Sequence, residues 1–495
     1  MRQHVAKLMP VLLAGGCSVL YNPDRIDRPP ADAKVFEDAP DSMIDANPAD
    51  LMLTGVESPV LVEGQGDEGG RPAVLVVRGT NIVNGATITV AAATGTALVE
   101  VVDTPIVSAQ NDLIAVKVIA RVDTALAAGT TTDLVVTVSQ PSPLGGTVDK
   151  TTTWQLKGLD ELEGATGTVD TAMAREYSHV DVDTLTYSGT GKVIVRATAG
   201  IDIANAIDVS ATADSATPGP GGGAGGTGSN GGGTISDGTG PGRGRKGVAG
   251  SSGGGGAGFV IAGEDGGGNA GSGGVQTGDV LITSYSANTG SGGGGATYFG
   301  GGGGGTLELT AGGNLTVGGT ILAKGSAGGG GGLAATSGGG GGAGGCVVLR
   351  SGGAATVSGF DLRGGAAGAG PALGGKDGGA GRTGRSRVDA VTITGDVGPA
   401  HRGLMFDGAT PVIVRASAPM FHLLGSMGDS FDLQRVNTSF APLGDKLSVA
   451  FGGADNIDAA VPELAPGFNR VCAVPKDSGL ANAESRNCVD LVYLP

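Results

Sequence analysis

Short runs in which apolar and polar residues alternate, separated by turn-forming residues, recur along most of the chain after residue 50. Between residues 51 and 158 these runs are rich in valine, isoleucine and threonine. Strict alternation with β-branched side chains predicts β-strands that are buried on one face. Four such runs are residues 73–78, 86–90, 113–118 and 134–138. We therefore predict an N-terminal β-sandwich over residues 51–158.

Three segments of two short alternating runs each align with one another further along the chain. Val193 aligns with Leu307 at an offset of 114 residues, and Leu307 aligns with Val347 at an offset of 40. One two-strand unit cannot bury its apolar face alone, so repeated units are expected to stack. The repeats predict a β-solenoid over residues 159–390. Residues 259–262 and 279–283 are two further predicted strands within it.

Residues 391–495 return to short apolar runs of ordinary composition. The runs are residues 412–415, 431–433, 447–451 and 489–493. Their length and spacing predict a second, small β-sandwich. The predicted fold class is therefore all-β: a sandwich, a glycine-rich solenoid and a C-terminal small sandwich.

Glycine changes this picture, because 70 of the 100 glycines in the chain lie between residues 219 and 384. Ordering them would cost on the order of 100 kcal/mol, and glycine has no side chain to offset that cost. Backbone hydrogen bonds could do so in an array of extended helices with three residues per turn, a polyglycine-II layer. The alternative is that the glycine runs are flexible linkers. Collagen is excluded, because glycine does not occupy every third position.

The first seventeen residues are typical of an export signal. Arg2 and Lys7 supply positive charge, residues 8–14 are mostly apolar, and small residues precede Cys17. Seven such residues are too few to span a bilayer. Residues 18–50 are rich in aspartate and proline, which predicts an extended tether.

Residues 12–17, Leu-Leu-Ala-Gly-Gly-Cys, resemble the lipobox of bacterial lipoproteins. The resemblance implies that residues 1–17 are a signal peptide and that Cys17 carries the lipid. Ala14 departs from the family pattern, which usually has leucine there. It would also suit an ordinary signal peptidase, which leaves a soluble secreted protein as the alternative. Ser18, in place of the aspartate that retains such proteins at the inner membrane, implies an outer-membrane or cell-surface location.

Three cysteines remain once Cys17 is assigned to lipid. Cys472 and Cys488 lie close together in the C-terminal segment, and an exported protein meets an oxidising compartment. We predict a disulfide between these two residues. Cys346 lies in an apolar run and is predicted to be a small buried hydrophobic residue.

Two further resemblances concern the modules. Residues 76–90, with a valine-rich run, Gly-x-Asn and Gly-Ala-x-Ile, are similar to the opening hairpin of IPT/TIG-type immunoglobulin-like domains, and residues 134–138 fit the closing strand of that family. The resemblance implies an immunoglobulin-like sandwich that acts as a spacer or binding module. The glycine-rich region resembles the polyglycine-II layers of phage tail adhesins and the glycine-rich PGRS proteins of mycobacteria.

Charge and side-chain chemistry narrow the function. A net charge of −16 opposes binding to nucleic acid. The four histidines are scattered, and we predict no metal site, no cofactor site and no catalytic residues. The acidic residues in or beside the aligned units are interpreted as a solvated outward face; they are Asp202, Asp208, Glu308 and Asp361.

The predicted function is that of an exported, lipid-anchored bacterial surface protein with an adhesive or structural envelope role. Its partners would be the membrane, through the lipid anchor, and a polysaccharide or surface-protein ligand. An envelope spacer that binds nothing is one alternative. Another is a polysaccharide-active β-helix enzyme that uses carboxylates on successive rungs.

Overall fold

The computed structural model describes residues 50–92, 99–122, 126–268, 270–331, 336–371, 376–398, 400–407, 412–476 and 486–495. Within these ranges the regular elements are β-strands and one 3-10 turn, Ser229–Gly231, so the all-β prediction is confirmed. Residues 50–495 form one compact unit. The predictions for the signal peptide, Cys17 and the tether up to residue 49 lie outside the described residues.

The N-terminal module is a β-sandwich of nine strands. They are β1 (Met52–Val56), β2 (Leu61–Val62), β3 (Ala73–Thr80), β4 (Thr87–Ala92), β5 (Val99–Val101), β6 (Ile106–Val107), β7 (Leu113–Ala120), β8 (Thr131–Pro141) and β9 (Thr147–Lys157). One sheet has the order β1-β3-β7-β5 with β6 beside β7, and the other has the order β2-β9-β8-β4. The alternating side chains of the two sheets meet in one core, which includes Leu75, Val116 and Val136.

The middle module is a parallel β-solenoid. Its strands are β10 (Asp160–Asp170), β11 (Arg175–Ser188), β12 (Val193–Ala197), β13 (Ile201–Ile203), β14 (Ile207–Asp208), β15 (Thr306–Ala311), β16 (Leu315–Val317), β17 (Ile321–Leu322), β18 (Cys346–Ser351), β19 (Ala354–Val357), β20 (Phe360–Asp361), β21 (Arg385–Asp389) and β22 (Thr392–Gly395). Strands β12, β15, β18 and β21 stack in parallel, as do β13, β16, β19 and β22, while β14, β17 and β20 form a third stack. Each rung therefore contributes one strand to each stack, except that the last rung has two strands.

The strand register agrees with the repeat offsets seen in the sequence. Val193 pairs with Leu307, and Leu307 pairs with Val347. Stacking in register places like residues above one another, so that Val195, Leu309 and Leu349 form a continuous buried ladder. Burial of such ladders is the main stabilising term available to a solenoid.

Three parts of the solenoid differ from the sequence prediction. Strands β10 and β11 precede the aligned repeats, and β21 and β22 form a further rung after them. The predicted strands at residues 259–262 and 279–283 are wrong, since neither segment is a strand. Their apolar side chains pack against the outward side of the rungs: Phe259 and Ile282 join Val348 in a small buried cluster. Burial against a sheet, not pairing within it, explains the hydrophobicity of Phe259 and Ile282, whereas Val260, Ile261 and Val280 are exposed.

The C-terminal module is a second β-sandwich. Its strands are β23 (Met405–Phe406), β24 (Ile413–Val414), β25 (Met420–Leu424), β26 (Ser430–Val436), β27 (Leu447–Ala450), β28 (Asn456–Ala460), β29 (Gly467–Pro475) and β30 (Asn487–Tyr493). The sheets have the orders β23-β25-β28 and β24-β30-β29-β26-β27. Cys472 of β29 and Cys488 of β30 are register partners and form the predicted disulfide.

The two sandwiches pack against each other through a second apolar cluster. Val76 and Ala115 of the N-terminal module meet Val492 and Leu494 of the C-terminal one. Arg71 adds polar contacts by donating hydrogen bonds to the carbonyls of residues 406 and 407 at 3.0 and 2.8 Å. The first and last modules of the described unit are thus packed against each other. Within the described ranges, no helix has the length and apolarity needed to cross a membrane.

Candidate functional site

The glycine-rich runs form part of the solenoid. They occupy residues 209–305, 323–345 and 362–384, each leaving the third strand of one rung and returning at the first strand of the next. Because the rungs are stacked, successive runs leave and return side by side. The base of each of the two shorter runs is closed by a hydrogen bond between its two ends: Gly345 N–H donates to the carbonyl of Ala323 at 2.7 Å, and Gly384 N–H donates to that of Leu362 at 2.8 Å.

Residues 290–297 show how the runs are held together away from the rungs. The carbonyls of residues 290, 293 and 296 accept hydrogen bonds from the N–H groups of a first neighbouring segment, Gly223, Gly226 and Ser229. Those of residues 291 and 294 accept from a second segment, Ala343 and Gly340. Those of residues 292 and 295 accept from a third, Gly244 and Gly247, and all these distances are 2.7 to 3.1 Å. A neighbour that recurs every third residue means three residues per turn.

The N–H groups of the same segment donate hydrogen bonds to three other neighbouring segments. Those of Gly292 and Gly295 donate to the carbonyls of Thr239 and Ser236, at 2.9 and 3.0 Å. Gly293 donates to the carbonyl of residue 301 and Gly294 to that of residue 255, both at 2.9 Å. The segment is therefore hydrogen-bonded to six neighbouring segments, five from its own run and one from the next, in the polyglycine-II manner. We call residues 219–305, 323–345 and 362–384, as far as they are described, the glycine lattice.

Close approach of the backbones explains why glycine is needed here. A Cβ added at Gly292 would overlap the carbonyl oxygen of Ala224, and one at Gly294 would overlap that of Arg245. The same holds at Gly293 and Gly295, where the obstructing oxygens belong to other runs. Any larger residue would push the runs apart and break hydrogen bonds on several sides.

Beside the lattice, a buried carboxylate lies on the outward face of the first strand stack. Glu308 on β15 is fully buried and accepts a hydrogen bond from Arg196 Nε on β12 at 3.1 Å. Arg350 on β18 lies 4.0 Å from the same carboxylate oxygen. Tyr285, from the long glycine-rich run, donates its hydroxyl to the other oxygen. One carboxylate thus joins three rungs to the longest glycine-rich run.

The electrostatics of this group follow from burial and pairing. Burial alone would raise the pKa of Glu308, but Arg350, Arg196 and the Tyr285 hydroxyl outweigh burial and hold that pKa below its usual value. Burial is also the main reason that the pKa of Tyr285 lies well above its usual value. Glu308 is therefore a charged structural link, and the prediction that it lies on a solvated face is wrong. The arginines supply the compensation that a buried carboxylate requires.

The other acidic residues singled out from the sequence are dispersed. Asp202 and Asp208 are exposed, as expected for an outward face, and Asp361 pairs with Arg363 at 2.8 Å. Asp181, which sequence reasoning missed, is the register partner of Asp202 on the adjacent strand. The signal that could have found Asp181 is the alternation of β11, which the repeat alignment did not include.

The histidines and cysteines do not combine into a site. His179 pairs with Glu68, His401 with Asp429 and His422 with Asp458. Cys346 begins β18 and is buried. In the part of the chain that the structure describes, no three His, Cys, Asp or Glu side chains are grouped as ligands for a metal ion.

Comparison with family models, with curated proteins and with solved structures finds no match to this chain.

The close packing of the lattice predicts that a Gly→Ala substitution lowers stability only where neighbouring backbone atoms leave no room for the new Cβ. Gly294→Ala should lower the free energy of unfolding by about 2 kcal/mol or more, because the new methyl group meets the carbonyl of Arg245. Gly233→Ala is the matched control, since its Cβ would come no closer than 3.4 Å to any atom. Denaturant unfolding and amide hydrogen exchange over residues 219–384 measure the effect. An equal decrease in the free energy of unfolding in both variants would refute the close-packed lattice.

Glu308→Gln should cost about 3 kcal/mol of stability, since it leaves two arginines near a neutral group. This is the lower end of the usual range, because the Arg196 side chain is still 33% exposed. The pKa of Glu308 is depressed in the folded protein, so its contribution is complete above about pH 5 and fades as pH falls below about 4. Urea unfolding at several pH values should show the gap between wild type and variant narrowing in acid. Glu163→Gln, at an exposed position on β10, should show no such gap.

Proposed function

We propose that the chain is an exported, lipid-anchored surface protein with an adhesive or structural envelope role, in which the glycine lattice is a rigid platform. The observation that carries the proposal is the hydrogen bonding of residues 290–297 to six neighbouring segments of the chain. Flexible linkers would need no such pairing. A platform held on all sides keeps its shape under load, which is a property that adhesion or envelope support requires.

The edge of the lattice offers a surface suited to a saccharide or protein ligand. Tyr298 and Phe299 are partly exposed there and line a concavity of about 890 Å³ with glycines 328–330. Partly exposed aromatic rings pack against apolar faces of sugars and side chains, and the surrounding backbone groups supply hydrogen bonds. This surface supports the adhesive form of the proposal over a spacer that binds nothing.

The anchor is tested by substitution at the N-terminus of the full chain in a Gram-negative host. Cys17→Ser should move the protein from the membrane fraction to the soluble exported fraction, because the acyl chains supply the membrane affinity. Ser18→Asp should keep it in the membrane fraction but shift it from the outer to the inner membrane. Fractionation with immunoblotting measures both effects, and Ser18→Ala is the control. Retention of the Cys17→Ser protein in the outer membrane would contradict lipid anchoring.

One observation favours the enzymatic alternative. Asp181 and Asp202 are adjacent on successive strands, as the carboxylates of polysaccharide-active β-helix enzymes are. Partial desolvation of the Asp202 carboxylate, together with the like charges of Asp181 and Glu68, raises the pKa of Asp202, and a raised pKa suits a general acid.

The two functions are separated by a double substitution. If the alternative holds, Asp181→Asn with Asp202→Asn should abolish cleavage of a polysaccharide by the wild-type protein, measured as release of reducing or unsaturated ends. Asp183→Asn, a neighbouring exposed carboxylate, should leave that cleavage intact. Absence of cleavage by the wild-type chain across neutral and acidic polysaccharides, with saturable binding to any of them, would favour the adhesive proposal.

A further inference from the structure

The glycine lattice contains four aromatic residues, and they differ in how they are packed. Phe259 and Tyr285 are fully buried in the small cluster against the rungs of the solenoid. Tyr298 and Phe299 lie at the edge of the lattice, where both are partly exposed and line the concavity of about 890 Å³. Packing against the rungs explains the first two residues, but it does not explain the exposure of the other two.

The two exposed aromatic residues belong to a turn that joins two hydrogen-bonded segments of the lattice. The turn is the one interruption in the glycine run between residues 292 and 305. Ala296 N–H donates to the carbonyl of Tyr298 at 2.8 Å, which closes the turn, and Gly329 N–H donates to the carbonyl of Phe299 at 2.9 Å. Backbone hydrogen bonds therefore fix the position from which both side chains project.

Glycines of the next run lie directly behind the two rings. A Cβ at Gly331 would overlap the Tyr298 ring, and a Cβ at Gly329 would lie 2.8 Å from Cε1 of Phe299. Each ring thus packs against glycine backbone and also lines the concavity. A surface whose side chains are already held in place loses less entropy when it binds a ligand.

Polar side chains surround the rings in the same concavity. Asp214 and Asn230 line it and are exposed, and neither side chain makes a hydrogen bond to a residue within the described ranges. A carboxylate can accept hydrogen bonds from two hydroxyls, and an amide offers both a donor and an acceptor. The hydroxyls of a sugar ring donate and accept hydrogen bonds, so they match both side chains.

The charge of the concavity disfavours an anionic ligand. Asp214 is the only charged side chain among the described residues that line it. The whole chain carries a net charge of −16. A uronate or another acidic sugar would bring a second negative charge close to Asp214, and like charges repel each other.

We propose that this concavity binds uncharged oligosaccharides, with sugar rings packed against Tyr298 and Phe299 and sugar hydroxyls bonded to Asp214 and Asn230. The proposal rests on the adhesive function proposed above and names the class of ligand for it. The negative face of an aromatic ring attracts the C–H groups of a neutral sugar. Two neighbouring rings suit two successive sugar units, and the volume lies at the upper end of the range for small-molecule sites.

The test is calorimetric titration of the purified full chain with cellohexaose, maltohexaose and mannohexaose, which are uncharged, and with hexagalacturonate, which is anionic. Wild type should bind at least one uncharged hexasaccharide saturably. Phe299→Ala and Asp214→Gly should each weaken that binding by about tenfold or more. Glycine is suited to position 214, where φ is 48°. Phe440→Ala removes a partly exposed ring of the C-terminal module and should bind as wild type does.

Amide hydrogen exchange over residues 219–384 accompanies each titration, because Phe299→Ala could loosen the lattice itself. If that variant loses protection, Asp214→Gly is the deciding variant, since it leaves both rings in place. The proposal is overturned if no uncharged hexasaccharide binds saturably or if Asp214→Gly binds as wild type does. It is also overturned if hexagalacturonate or the basic peptide hexalysine binds as tightly as the uncharged hexasaccharides.

The same exchange data distinguish failure of this site from failure of the platform. Strong protection of wild type without binding of any uncharged hexasaccharide removes the glycan ligand and leaves the rigid platform standing. Exchange of wild type at free-chain rates overturns the platform on which the site is built.

Discussion

Backbone hydrogen bonding between neighbouring glycine-rich segments, which have almost no side chains, is the interaction on which the glycine lattice depends. Each ordered glycine loses more conformational entropy than other residues do, and no buried side chain offsets the loss. The offset must come from N–H and carbonyl groups, and Gly293 and Gly294 show how: each donates to one run and accepts from another. Such hydrogen bonds can form only if neighbouring runs begin side by side. The stacked rungs, about 4.8 Å apart, place the first residues of successive runs in this way. The solenoid therefore sets the register of the lattice.

The same dependence explains which features the sequence predicted. The ladder through Val195, Leu309 and Leu349 produces the 114- and 40-residue offsets, because in-register stacking demands the same alternation in every rung. The last rung escaped detection because its first strand is Arg-Ser-Arg-Val-Asp. There, Arg387 is buried through its pairing with Asp389 and a hydrogen bond to the carbonyl of Leu281. A charged residue thus occupies a position that holds Ile194 in the first rung and Val348 in the third. Local pattern alone could not predict this burial.

The glycine content indicated hydrogen-bonded runs but left flexible linkers as an alternative, because composition does not tell which segments lie side by side in the fold. The backbone partners of residues 290–297 are distributed from residue 223 to residue 343, and their identity depends on how two of the glycine-rich runs fold back together. A cavity of about 510 Å³, lined by five arginines where the three modules meet, was unpredictable for the same reason. Arg71, Arg196 and Arg486 belong to three modules, and only tertiary packing brings them to one space.

Glu308 connects these two parts of the molecule. One carboxylate oxygen accepts the hydroxyl of Tyr285, which belongs to the longest excursion of the lattice, and the other accepts from Arg196, which lines the cavity. The charge that anchors the excursion is therefore the same charge that holds part of the arginine cluster in place.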